Sequence, residues 1–205
     1  MCQYSAETMK ALVIDWLLTS QSTDIIIGNE VMYGTKRKVV DLMAIINNKI
    51  IAIEIKSSSD NLNRLSEQIK EYNKVFDKII IISAPSHIEK IKTIIDKGVG
   101  LYVINNNITK VLNPLVNHNH DKLEMLHSVS SVYLKKRYPQ HKNMNSYELR
   151  SLLSKEKKGV LHELLISFYQ QRLYERFYYF MNERGKNTHI DDIPTLSSLT
   201  RIELF

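Results

Sequence analysis

The chain has 205 residues, 43% hydrophobic and 24% charged, with a formal net charge of +6. That is enough chain for one good core, or for one core with a helical appendage. No apolar run approaches the length of a membrane span, no signal-peptide pattern precedes the first helix, and one cysteine, Cys2, cannot build a disulfide framework. These features argue against a helical membrane protein and a disulfide-stapled secreted scaffold, and they imply a cytoplasmic protein with no membrane partner.

In chain order, Ser5 to Leu18 reads as an amphipathic helix capped by Ser5, with Met9, Leu12, Val13, Trp16 and Leu17 on one stripe. Asp24 to Tyr33 reads as a strand with Gly28 as a bulge, and Gly34-Thr35-Lys36-Arg37 turns the chain into a second strand. Val39 to Lys56 then carries two β-branched runs around Asn47-Asn48, the residues that a type I′ hairpin turn favours. A helix follows from Asp60 to about Phe76, and Lys78 to Ala84 is a continuous apolar strand expected at the centre of the sheet. Ser86 to Lys97 reads as a helix, and Val99 to Asn105 and Ile108 to Leu112 as two further strands. The order α-β-β-β-α-β-α-β-β predicts an α/β fold, a mixed sheet flanked by helices.

With Asn47 and Asn48 at the turn, Ile46 pairs with Lys49 and Ile45 with Ile50, which places Asp41 across from Glu54. Side chains alternate along a strand, so Lys56 shares the face of Glu54, while Leu42, Ala44, Ile51, Ile53 and Ile55 form the other face. Two carboxylates about 5 Å apart repel by roughly 3 kcal/mol at an effective dielectric of ~20. A divalent cation between them, Mg²⁺ or Mn²⁺ by its preference for oxygen ligands, would convert that repulsion into binding; the alternative is a solvated hairpin face. If Thr35 and Lys36 form the tip of the preceding turn, Glu30 joins Asp41 and Glu54 in one row across three strands. A slip of one residue would put it on the opposite face.

Composition shifts at Asn113 to Asp121, which contains Pro114, His118 and His120; two histidines two apart in a polar loop are more often unligated than metal-bound. The remainder reads as all-helical: Lys122 to Arg137, Asn145 to Lys155 with Asn145 and Glu148 in capping-box spacing, and Gly159 to Arg184. The expected apolar stripe of that long helix is Leu161, Leu164, Leu165, Phe168, Tyr174, Phe177 and Met181. Tyr169, Arg172, Arg176 and Tyr179 could stack on bases or clamp phosphates. Between Asp121 and Lys186 there are 13 Lys and Arg against 7 Asp and Glu, so the whole positive excess falls there. Residues 187–205 carry no assignment. These shifts divide the chain into a core, 1–115, and a basic helical region, 116–205.

Asp41, then Glu54-Ile55-Lys56 on the following strand, then Gln68-x-x-x-Tyr72 on the next helix, resembles the PD-(D/E)XK nuclease superfamily, in particular the RecB-like branch with its Gln-x-x-x-Tyr motif. The resemblance covers roughly Glu30 to Ala84, and Val40 stands where the name-giving proline would be. It implies a restriction-endonuclease-like αβββαβ core. In that core Asp41 and Glu54 would ligate Mg²⁺ or Mn²⁺ with the carbonyl of Ile55, and Glu30 would be a further ligand. Lys56 would orient the metal-activated water, and Gln68 and Tyr72 would hold the water or the strand.

The expectation is therefore a Mg²⁺-dependent deoxyribonuclease, with DNA (or RNA) as substrate and C-terminal helices that grip it or form a homodimer. The rival reading is a catalytically silent nucleic-acid-binding or protein-interaction module on the same fold. No Gly-x-x-x-x-Gly-Lys-Ser/Thr loop occurs, which argues against an ATP-driven motor.

Overall fold

Asn47 and Asn48 adopt the left-handed region, φ 50° and 55°, and close the hairpin between β2 (Lys38–Ile46) and β3 (Lys49–Lys56) in the expected register. The structure is a computed structural model that describes residues 4–20 and 24–197; Cys2 and the last eight residues of the unassigned tail lie outside them. Six strands form one sheet in the order β1-β2-β3-β4-β5-β6. β1 (Ile25–Tyr33), β2 and β3 are antiparallel, and β5 (Gly100–Ile104) and β6 (Ile108–Leu112) form an antiparallel pair at the other edge. β4 (Lys78–Ser83) runs parallel to both of its neighbours. Parallel neighbours need crossovers, and α2 (Leu65–Tyr72) and α3 (Ile88–Ile94) supply them. The Ile-rich β4 is central and buried, as its unbroken apolar run predicts.

Both sheet faces are covered. α1 (Ala6–Ser20) and the 3₁₀ segment Ile190–Leu196 pack on Ile27, Leu42, Ala44, Ile51, Ile53 and Ile55. The opposite face, with Met43, Ile45, Ile50 and Ala52, lies under α2, α4 (Lys122–Ser128) and α7 (Lys158–Glu183). The hairpin face that carries Glu54 is therefore interior, not a solvated surface.

Several expected boundaries move. Ser5 caps α1 by accepting the Thr8 N–H at 3.1 Å, but Leu12 turns outward and Ile14 takes its buried place. The helix expected from Asp60 begins only at Leu65, because Asp60 is used in a turn, accepting the Ser57 N–H at 2.7 Å. The helix expected from Lys122 to Arg137 breaks at Val129 and Ser130, whose extended backbone separates α4 from α5 (Ser131–Arg137); Ser130 caps the second by accepting the Tyr133 N–H at 3.2 Å. Next, α6 (Ser146–Leu153) carries the expected Asn145/Glu148 capping box. On α7 the stripe continues through Tyr169, Leu173 and Phe180, leaving Tyr174 and Met181 exposed.

Gly28 is not a bulge. It sits in the ladder opposite Met43, and a Cβ built there would lie 2.8 Å from Leu173 Cδ2 and from Val31 Cγ2. Glycine leaves room there for Leu173, where α7 crosses β1. Gly28→Ala should cost roughly 1–3 kcal/mol by overpacking, read as a lower urea midpoint with an unchanged m-value; a loss under 0.5 kcal/mol would show that Leu173 has room to move.

The irregularity in β1 falls two residues later, at Glu30, with φ 50°. Glu30 and Asp41 are in the anticipated register, between Asn29↔Leu42 and Val31↔Val40, yet neither joins the ladder. The sheet's facing switches at this row: Ile27 and Leu42 face α1, whereas Val31 and Val40 face the α2 side.

Candidate functional site

Strand register and the first turns of α2 bring Asp41, Glu54, Lys56, Gln68 and Tyr72 together. Glu54 is 2% exposed, and both of its carboxylate oxygens are engaged. Oε1 accepts from Lys56 Nζ at 2.7 Å and from Gln68 Nε2 at 2.6 Å, and Oε2 accepts the Tyr72 hydroxyl. Lys56 Nζ also donates to Gln68 Oε1 at 3.2 Å. Asp41 Oδ2 accepts the Ile55 N–H at 2.9 Å, where the β2–β3 ladder ends. Burial first, and then the charge of Glu54, push the Asp41 carboxyl up to about 6. Burial and the same carboxylate push the Tyr72 hydroxyl well above its ordinary range, so it stays a donor. Glu30 turns toward α1, its Oε1 3.6 Å from Lys10 Nζ and its Oε2 3.4 Å from Ser197 Oγ. The acid pair is thus compensated within the protein, by three donors on Glu54 and by easier protonation of Asp41.

A second cluster was not anticipated. Asp77 precedes β4, His120 lies in the loop before α4, and His162 is in the first turns of α7; one ligand atom from each lies within 4.8 Å of the others. His162 Nε2 is 2.8 Å from Asp77 Oδ1, His120 Nε2 is 3.6 Å from it, and the two imidazoles stack at 5.4 Å. Ile50 N–H donates to Asp77 Oδ2 at 2.7 Å. Burial works to raise the Asp77 carboxyl, but the bonds from His162 and Ile50 outweigh it and hold it below its usual range. Burial lowers His120. This geometry could hold a divalent metal ion, and among the described residues no such grouping includes Asp41, Glu54 or Glu30. His118, two residues before His120, is exposed at the rim. Asp77 and His162 are 85 positions apart and share no motif.

The third feature is a cavity of about 330 Å³ between the β1–β2 turn and the helical layer, lined by Arg37, His127, Ser130, Ser146, Arg150 and Arg172 among others. Arg150 is 8% exposed and donates to the carbonyls of Leu126 at 3.0 Å, Val129 at 2.9 Å and Ser146 at 3.2 Å, and to the Ser146 hydroxyl. The turn is anchored by α4: Ser128 Oγ accepts the Gly34 N–H at 2.8 Å and Glu124 Oε2 accepts the Thr35 N–H at 2.7 Å. Among the described residues, none of these three arginines is paired with a carboxylate. Burial, and then the positive charge of Arg150, lower His127. The aromatic and basic face anticipated on α7 is only partly available. Tyr169 is buried, its hydroxyl donating to the Met32 carbonyl at 2.9 Å, and Arg176 donates to the Ser197 carbonyl at 2.5 Å. Arg172 and Tyr179 remain accessible.

A family profile described as "Bacteriophage P4 protein cII" matches residues 3–197. A relative named "Protein cII" from Enterobacteria phage P4 is 31% identical over 106 residues, covering 51% of this chain and 40% of that protein. The aligned stretch is thus less than half of the relative's length. Among solved structures, a protein of unknown function from Silicibacter pomeroyi is similar at a TM-score of 0.45 and 12% identity, covering 70% of this chain and 98% of that one.

These matches correct the expected membership of the PD-(D/E)XK superfamily: the matching family spans all the motif residues and is the protein cII family. The Mg²⁺-dependent deoxyribonuclease activity, and the hydrolase and restriction-endonuclease classes, rested on that membership and fall with it. The α/β architecture stands, as a mixed sheet flanked by helices with an all-helical C-terminal region. No helix among the described residues is long and apolar enough to cross a membrane.

Proposed function

We propose, for a chain that belongs to the bacteriophage P4 protein cII family, that it is a catalytically silent nucleic-acid-binding module which holds DNA by its phosphates. The observation that carries this reading is the cavity with Arg37, Arg150 and Arg172, none paired with a carboxylate among the described residues. A guanidinium fork matches phosphate oxygens, and phosphate contacts supply most sequence-independent affinity. Arg150 is fixed by carbonyls from two helices, so it acts as a preset positive charge beneath the more exposed Arg37 and Arg172. The charge excess of residues 121–186, which include Arg150 and Arg172, agrees with a polyanion partner.

In this reading the mixed sheet and its flanking helices are a scaffold. Asp41, Glu54, Lys56, Gln68 and Tyr72 form its polar centre and fix α2 against β3. Neither Mg²⁺ nor Mn²⁺ is needed at Asp41, Glu54, Glu30 and the Ile55 carbonyl. The exposed Tyr174 and Tyr178, stacked at 6.4 Å, offer the C-terminal surface for a second copy, and the cytoplasm is the compartment such a module implies.

The test is fluorescence anisotropy with labelled duplex, single-stranded DNA and RNA at 50 and 200 mM salt. Arg37→Ala/Arg172→Ala should weaken DNA binding roughly 10–100-fold and reduce the slope of log K against log salt by about 2. Unchanged affinity and slope would remove the cavity from the interface, and preference for RNA would reassign the partner.

A further inference from the structure

We propose that Asp77, His120 and His162 form a transition-metal site, selective for a Zn²⁺-type ion over Mg²⁺, that staples the helical layer to the sheet. Two imidazole nitrogens and one carboxylate oxygen are the donor set of Zn²⁺ and its neighbours, whereas Mg²⁺ prefers oxygen ligands and retains water.

The spacing agrees. Tetrahedral coordination with bonds near 2.0–2.1 Å places ligand atoms about 3.3 Å apart. Asp77 Oδ1 lies 2.8 Å from His162 Nε2 and 3.6 Å from His120 Nε2, on either side of that value. The two imidazole nitrogens lie within 4.8 Å of each other, so closing on an ion draws them together by up to about 1.5 Å. The side chains are 3%, 7% and 20% exposed, for Asp77, His120 and His162 in turn.

Asp77 and the loop that bears His120 also have outside support of the kind that orients metal ligands, and His120 Nε2, now 3.2 Å from the Phe76 carbonyl, would exchange that contact for the ion. Asp77 Oδ2 is held by the Ile50 N–H at 2.7 Å and also lies 3.0 Å from His162 Nε2, and the Asp77 N–H donates to the Ile50 carbonyl at 2.8 Å, so the carboxylate is fixed against the imidazoles. The loop bearing His120 is strapped to the sheet side by Asn117 N–H to the Asp77 carbonyl at 2.7 Å and by Asp121 N–H to the Lys74 carbonyl at 2.9 Å. A fourth position opens on a cavity of about 250 Å³ lined by Lys49, His118 and Lys158, which leaves room for water or the His118 imidazole. Lys158 is directed to the His118 carbonyl, at 3.4 Å, rather than to the ion's position.

The ligands come from the start of a central strand, a connecting loop and the first turns of the longest helix, so a bound ion would tie together three segments distant in sequence. Metal that binds the folded form alone raises stability by mass action. The readout involves no nucleic acid, so it stands or fails apart from the binding function.

Chelator-treated full-length protein should show a saturable, 1:1 rise in Tm with Zn²⁺ and none with Mg²⁺, and Co²⁺ should give visible absorption bands of a four-coordinate site. His162→Gln keeps a donor for Asp77 but supplies no imidazole. It and His120→Gln should melt as metal-free wild type does and lose both responses, while His189→Gln, at an exposed position, should retain them. No Zn²⁺-dependent rise in the wild type, or a rise that survives in both His120→Gln and His162→Gln, would overturn the assignment.

Discussion

Asp41→Asn is expected to stabilise the protein by about 3 kcal/mol at pH 8, with a Tm gain of roughly 5–10 °C. The Asp41 carboxyl is pushed up from 3.8 to about 6 by burial and by Glu54. A carboxyl raised in the folded state binds protons there more readily than in the unfolded chain. Its stability contribution is therefore greatest below the unfolded value and is lost as pH rises through about 6. The asparagine carbonyl can still accept the Ile55 N–H now bonded to Asp41 Oδ2, and its amide removes the charge that faces Glu54. Chemical denaturation across pH 4 to 8 checks this. The advantage of the variant should be near zero at pH 4 and grow to its full size by pH 8. A variant no more stable than wild type at pH 8 would show that the acid pair carries no net strain.

Arg150→Ala should cost roughly 3 kcal/mol, through the loss of charge-assisted hydrogen bonds to buried carbonyls. Nε and both terminal nitrogens of Arg150 hold Leu126, Val129 and Ser146, thereby locking the α4–α5 break to α6. Truncation removes these donors and leaves the Val129 carbonyl in a buried site. Arg150→Lys should recover little of the loss, because an ammonium group cannot span the same carbonyls as a planar fork. Urea denaturation of both variants is the measurement. An alanine variant within 0.5 kcal/mol of wild type would mean that water replaces the guanidinium, and the cavity would then not be preset by Arg150.

The parts of the fold that follow from local chemistry were legible in the residues. Asn47-Asn48 specified a turn and therefore a register, which in turn located Asp41 near Glu54 and Gln68 and Tyr72 behind them. The unbroken isoleucine run of β4 announced a central strand. What escaped depended on contacts between distant segments. Gly28 looked like a bulge because nothing near it in sequence reveals that Leu173 lies against it. The break at Val129-Ser130 had a local cap in Ser130, but the arginine that secures it comes from α6. Asp77 and His162 carried no spacing signal at all.

Function was less legible than fold for a related reason. Acid, acid, lysine, glutamine and tyrosine did come together, and Lys56, Gln68 and Tyr72 each place a hydrogen bond on Glu54. A motif specifies which side chains meet, but it does not specify which chemistry their environment leaves open. The arginine cavity, by contrast, collects residues from the β1–β2 turn, α6 and α7, so it exists only once the chain is folded.

The most direct measurement of the central claim combines binding and integrity in one reaction. Full-length protein is mixed with supercoiled plasmid in Mg²⁺ or Mn²⁺, and mobility is compared before and after removal of protein. The account predicts retardation that weakens with salt and in Arg37→Ala/Arg172→Ala, and plasmid recovered fully supercoiled. Absence of retardation at low salt, or nicking that disappears in Asp41→Ala, would contradict it.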